Sequence, residues 1–206
     1  LVPEEKEAYL IVSPNQTYLL HASFNPVNKY SHIKYFSGLH PTQLKPHLTK
    51  ILTTEKNKTL LLNKKHTTVY EFELFQDYKL TIDDLDQQKI DQIKSQKDID
   101  EIKNIKKACQ ISNKAFKNIK GEIKVGQTEK EVQKLLEKEM TKLGSEKVAF
   151  PTIIAFGSNG ALPHHQPTNN KLTKEMPILM DFGATFKNYR SDMTRSFWFG
   201  ENPSLE

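Results

Sequence analysis

The stretch MDFGATFKNYRSDMTRSF, Met180 to Phe197, decides how this chain folds. Two arms flank a polar turn region around Lys187 and Asn188, which is the pattern of a β-hairpin. Each arm carries an aspartate, Asp181 and Asp192, although strand interiors usually avoid that residue. Side chains alternate faces along a strand, so the relation of the two acids depends on the turn. A four-residue loop from Thr185 to Asn188 sets them directly opposite, and a two-residue loop at Lys187-Asn188 sets them diagonal. Both registers keep them on one face, at roughly 4.5–8 Å between Cβ atoms. A three-residue loop without a bulge sends them to opposite faces.

Two ionised carboxylates about 5 Å apart repel by roughly 3 kcal/mol at an effective dielectric near 20. A raised pKa on one acid would offset this, as would a neighbouring Arg190 or Arg195, or one or two divalent cations between them. An exposed hairpin with incidental acids is the plain alternative. Against it stand Met180, Phe182, Phe197, Trp198 and Phe199, which suggest a substantially buried sheet, where carboxylates need partners.

Upstream, AFPTIIAFGSNGALPHHQP holds an apolar run, Thr152 to Phe156, that breaks into Gly157-Ser158-Asn159-Gly160 and then presents His164 and His165. Isolated histidines are commonly structural, yet loops beside a rigid scaffold are where functional groups concentrate. Two helices precede this stretch. One begins after Ser95, with Asp98 as the partner in a capping box, and runs to about Gly121 with Ile99, Ile102, Ile105, Cys109 and Phe116 at helical spacing. The other starts at Thr128 with Glu131 completing its capping box, carries Val132, Leu135, Leu136 and Leu143, and stops at Gly144.

The first part of the chain has a different texture. AYLIVS, QTYLLHAS, KYFSGL and TLLLN read as strands, Thr42 to Thr53 as a weaker helix, and TVYEFEL as either a strand or a short helix. Strands mixed with helices predict a small α/β domain over residues 1–88. The charged run DDLDQQKIDQIKSQKDIDE, free of Gly and Pro, reads as an exposed linker into residues 89–206. His21, His32, His40, His47 and His66 are scattered without ligand spacing.

The 206 residues suffice for one large domain or two modest ones. No apolar run approaches the roughly 18–20 residues of a membrane helix, and no signal peptide is evident. Because the chain starts at Leu1, an earlier segment is expected to exist. The single cysteine, Cys109, cannot form an internal disulfide, so a cytoplasmic setting is the default. The net charge of +5 comes from lysines dispersed among acids, without the clustering that nucleic-acid binding requires.

Together, IKSQKDIDEIKNIKKACQIS, VGQTEKEV, AFPTIIAFGSNGALPHHQP and LMDFGATFKNYRSDMTRSFWFG resemble the first half of the pita-bread catalytic domain of the aminopeptidase P and prolidase family. The match runs from about Ile90 to Gly200 in the family's order, and no single piece of it is specific alone. The first segment resembles that family's creatinase-like N-terminal domain more loosely, through its strand order and IKYFSGL. The resemblance implies an α/β creatinase-like domain followed by an α+β pita-bread domain of which only the first half is present.

In that family two divalent metal ions, often manganese with cobalt or zinc as alternatives, activate a bridging water that attacks the peptide bond before a proline in the second position. Carried over, Asp181 matches a ligand of one metal, Asp192 the ligand that bridges both, and His164 the histidine that contacts substrate and stabilises the transition state. His165 is grouped with it as a substrate-side residue without an assigned role. Hard carboxylate oxygens suit such ions. Methionine aminopeptidases share the fold and both aspartates but usually lack the DFGA and DMTR wording, and creatinases lack the metal aspartates. Aminopeptidase and dipeptidase specificity stay unseparated, and a homodimer is implied for the full-length form.

The family's remaining ligands, one histidine and two glutamates, lie downstream of the second aspartate, and this chain ends at Glu206. The expectation is therefore an enzyme fragment that is inactive alone. The alternative is a non-catalytic pita-bread module that binds peptide or protein. Retention of both aspartates favours the enzyme.

Overall fold

A computed structural model of the chain describes residues 8–22, 30–55 and 59–201. The chain divides into two compact units, residues 1–93 and 94–206.

The first unit opens with β1 (Ala8–Val12) and β2 (Thr17–His21), an antiparallel pair, and β3 (Ile33–Ser37) joins β2 in parallel. The candidate strand around β2 also took in Ser23, which lies outside the described residues. Helix α1 (Pro41–Thr54) follows, then β4 (Thr59–Leu62), α2 (Val69–Gln76) and β5 (Thr81–Asp84), with β4 and β5 parallel. Tyr18 and Leu20 of β2 pack on Leu44, Leu48 and Ile51 of α1 and on Leu74 and Phe75 of α2.

The ambiguous TVYEFEL is thus helical. Thr68 Oγ1 accepts from the Glu71 backbone N–H while the Glu71 carboxylate accepts from the Thr68 N–H. That reciprocal cap commits the segment to helix over its alternating pattern. The charged run expected to be a linker takes in the end of β5 and all of α3 (Gln87–Ser95). No residue of α3 is buried, which is why its sequence lacks an apolar stripe.

In the second unit, α4 (Ile99–Lys120) is capped by Asp98 with Glu101. Ser95 belongs to the end of α3, so the cap sits one helical turn later than the sequence suggested. The buried face of α4 is Ala108, Ile111, Ser112, Ala115 and Ile119, whereas Ile99, Ile102 and Cys109 are exposed. Small side chains at three of these positions let the helix lie close to its neighbours, which a search for large apolar residues overlooks. Helix α5 (Glu129–Lys142) has the expected Thr128–Glu131 box and buries Val132, Leu136 and Met140.

Three strands form the unit's main sheet in the order β10–β7–β6, all antiparallel: β6 (Ile153–Phe156), β7 (Met176–Phe182) and β10 (Met193–Phe199). The short ladder β8 (Thr185–Phe186) and β9 (Tyr189–Arg190) closes the hairpin tip. One sheet face, with Ile154, Phe156, Ile178, Met180 and Phe182, packs on Ile111, Ala115, Ile119, Val132, Leu136 and Met140 of the helices. Its other face carries Asp181, Thr194 and Ser196 and is far more open. No helix among the described residues is long and apolar enough to cross a membrane.

Candidate functional site

The hairpin turn is the two-residue one. Lys187 and Asn188 both have positive φ, 48° and 66°, as a type I′ turn requires. Phe186 pairs with Tyr189 and Thr185 with Arg190, and the same register resumes at Phe182–Met193 and Asp181–Thr194. Asp192 is therefore opposite Gly183 and diagonal to Asp181, on the face that Thr194 shares. Thr194 Oγ1 donates to Asp181 Oδ1 at 3.0 Å. Asp181 is half-buried and Asp192 exposed.

The two arms are pressed together just where the acids sit. A Cβ on Gly183 would collide with the Ser191 carbonyl oxygen and lie 2.9 Å from Ala149 Cβ, so the DFGA glycine is there for close approach. Next to it, the Ala184 N–H donates to Ser191 Oγ (2.9 Å) and Ser112 Oγ (3.1 Å), and the two hydroxyls are 2.7 Å apart. The Ser191 N–H returns a bond to the Ala184 carbonyl at 2.9 Å. Helix α4 thus pins the residue immediately before Asp192 through Ser112.

Of the ways to balance the two carboxylates, an arginine partner is not the one used among the described residues. Arg195 Nη1 donates to the Thr194 carbonyl at 2.8 Å, and no ion pair within the described residues reaches Asp181 or Asp192. Apart from the Thr194 bond their oxygens keep free acceptor capacity on an open face, a donor set that suits a hard divalent cation. Among the described residues no group of three or more His, Cys, Asp or Glu could hold a metal ion. The pair accordingly fits as part of a metal cradle and not as a closed one.

The two histidines have separate situations. After β6 the chain makes a 3-10 turn, Gly157–Ala161, whose Gly160 lies over Leu179, with an added Cβ 3.7 Å from the Leu179 Cβ. Leu179 and Asp181 point to the same side of β7, so the loop folds over the face that bears the aspartates. His164 follows with φ of 56°, exposed and without a hydrogen bond to the described residues. His165 is 8 % exposed, and its Nε2 is 2.9 Å from Glu129 Oε2.

Glu129 is the residue that sequence reasoning missed. It opens α5, is completely buried, and gathers the histidine loop around its carboxylate. Oε1 accepts from the Phe156 N–H (2.9 Å) and Asn159 Nδ2 (2.8 Å). Oε2 is bonded to His165 Nε2 and accepts from the Thr168 N–H (2.8 Å) and Thr168 Oγ1 (2.7 Å). Burial pushes this carboxyl up, but the bonds from Asn159, His165, the Phe156 N–H and Thr168 outweigh it and hold the group at about 2, below its ordinary 4.5. Its spacing to Val132 and Leu136 puts it in line with the apolar stripe, but an acid in a helix's first turn is ordinary and that spacing alone does not single it out.

Comparison with known proteins identifies the family. Residues 103–206 match the model of metallopeptidase family M24. An uncharacterized peptidase of Staphylococcus epidermidis is 35 % identical over 176 residues, which cover 85 % of this chain and 44 % of that protein. Among solved structures, an X-Pro aminopeptidase from Thermotoga maritima is 30 % identical with a TM-score of 0.81, covering 96 % of this chain and 56 % of its own. A prolidase from Pyrococcus furiosus is 28 % identical with a TM-score of 0.77, covering 96 % and 57 %. The chain thus matches the pita-bread type of peptidase fold and spans about half the length of these relatives.

Proposed function

The chain belongs to metallopeptidase family M24, and on that premise we propose that it supplies part of the active site of a metal-dependent peptidase that cleaves the bond preceding proline. The observation that carries this is the placement of Asp181 and Asp192 on one open sheet face, clamped by Gly183 and Ser112, with the Thr194 bond to Asp181 the only side-chain bond to either among the described residues. Peptidases of this family generally use divalent metal ions. Asp181 and Asp192 would hold such ions, manganese being the best match to carboxylate oxygens, with cobalt or zinc as alternatives. When bound, a metal pair supplies Lewis acidity that eases water ionisation and stabilises negative charge on the scissile carbonyl oxygen.

The chain's own residues divide the remaining work. The exposed His164, on a loop that folds over the aspartate face, contacts the peptide and stabilises charge as the bond breaks. The buried His165 holds that loop from below and does not meet substrate. Residues 1–88 act as the creatinase-like N-terminal domain, residues 89–206 as the first half of the pita-bread domain, and the assembled enzyme works as a homodimer in the cytoplasm. Two carboxylates are too few for a two-metal site, so residues 1–206 alone do not turn over substrate, and further ligands, a histidine and two glutamates, complete the centre.

That shortage is also what favours a second reading, a pita-bread module that binds peptide without cleaving it. Hydrolysis of Xaa-Pro peptides with manganese, measured on residues 1–206 and on a longer form of the protein, separates the two. Turnover is expected only from the longer form, with a loss of about a hundredfold or more in Asp181→Asn and Asp192→Asn. Peptide binding without turnover in every form supports the binding module, and turnover indifferent to both substitutions refutes the metal site.

A further inference from the structure

We propose that Glu129 is a positioning residue for His164, an inference that rests on the reading of His164 as the substrate-side histidine. His164 has a φ of 56°, in the left-handed region that is unfavourable for a residue with a side chain and must be enforced by its surroundings. No hydrogen bond from the His164 ring to the described residues supplies that enforcement. The ties lie on its flanks, and five of them end on one carboxylate.

Upstream, Glu129 Oε1 binds the last residue of β6, through the Phe156 N–H, and the 3-10 turn, through Asn159 Nδ2. Downstream, Oε2 binds His165 Nε2 and both the backbone and the hydroxyl of Thr168. Positions 156, 159, 165 and 168 are therefore held at fixed distances from a single point at the start of α5, and His164 is the exposed crest of the loop between them. The His165 N–H to Leu162 carbonyl bond, 3.3 Å, closes the remaining turn. A carboxylate is the only side chain that accepts five such bonds while donating none, so Gln at this position must turn an N–H against one group of donors. The same carboxylate also fixes which side chain faces out. Adjacent histidines otherwise offer two candidates, and anchoring His165 to Glu129 leaves His164 exposed.

The test compares Glu129→Gln and Asn159→Ala with the unaltered 206-residue chain by NMR, following amide hydrogen exchange and the imidazole resonances, alongside the thermal transition. Expected for Glu129→Gln is exchange at Phe156 and Thr168 faster by about tenfold or more, with displaced His164 resonances, while α4 amides and the Val132–Met140 turns of α5 keep their protection. Asn159→Ala, which removes a single donor, should shift His164 to a smaller extent. Should Glu129→Gln unfold the unit, Asn159→Ala decides. Unchanged His164 resonances and exchange within about twofold in the folded variant would overturn the proposal.

A second arm uses a longer form that hydrolyses Xaa-Pro peptides. Glu129→Gln is expected to lower kcat by about tenfold with KM within about threefold, and to cost nothing further once His164→Ala is present. Additive losses would mean that Glu129 acts by another route. If His164→Ala alone is silent, the role given to His164 fails, while the exchange measurement still judges whether Glu129 holds the loop.

Discussion

Glu129 is fully buried and takes five hydrogen bonds from four residues, whereas Asp181 is half-buried and, among the described residues, accepts one, from Thr194, and Asp192 stands exposed. These carboxylates belong to the same unit, and their surroundings assign them opposite duties. A buried charge whose lone pairs are all engaged by the protein is finished: it organises what surrounds it. Two carboxylates side by side on an open face, with most of their acceptor capacity unused, are placed as ligands of a cation would be. The protein also distributes rigidity differently between the two. At Glu129 the carboxylate itself holds the structure, while at the aspartates the structure is held by Gly183, Ser112 and Ser191 so that the carboxylates stay available.

Removing the buried charge should have the largest effect. Glu129→Ala strands the Phe156 and Thr168 N–H groups without acceptors, and a loss of about 3–5 kcal/mol in urea unfolding is expected. Next in size, Gly183→Ala forces the arms apart at the Ser191 carbonyl and should cost about 3 kcal/mol, with Asp192 displaced from its register in the variant's structure. A loss below about 1 kcal/mol would mean the strands do not need their close approach.

Acid acts on Glu129 more gently. The Glu129 pKa is depressed from 4.5 to about 2 in the folded state, so its contribution is fully present above 4.5 and disappears as pH falls towards 2. Stability measured from pH 5 down to pH 2 should fall by about 2–3 kcal/mol on this account, and Glu129→Gln should flatten that limb. An unchanged limb in the variant would remove Glu129 as its cause. The smallest effect belongs to the aspartates. Asp192→Asn relieves repulsion at little structural cost and is expected to raise stability by about 0.5–1 kcal/mol without metal, opposite in sign to Glu129→Ala.

How far the sequence revealed these features follows the same division. Asp181 and Asp192 were legible because aspartate in a strand contradicts its local setting, and the short turn that Lys187-Asn188 makes was one of the registers the alternation allowed. Which register holds was not legible, since Lys187 at positive φ is not a residue that announces a type I′ turn. The Thr128–Glu131 and Asp98–Glu101 boxes lie close to where capping chemistry predicts, the latter displaced because α3 continues through Ser95. Glu129 was not legible because an acid in the first turn of a helix agrees with the helix dipole and contradicts nothing around it. Its partners come from 27 to 39 residues away in the chain, and no local pattern encodes them. The α4 face was misplaced for a related reason, since Ala108, Ser112 and Ala115 are buried for being small.

The proposed metal cradle has Asp181 and Asp192 at one end. Titration of the 206-residue chain with manganese, followed by paramagnetic broadening of backbone amide signals, tests it most directly. Broadening centred on residues 181–183 and 192–194, and abolished by Asp192→Asn, is the predicted result. Broadening that is absent there at millimolar manganese, or that survives Asp192→Asn unchanged, would contradict it.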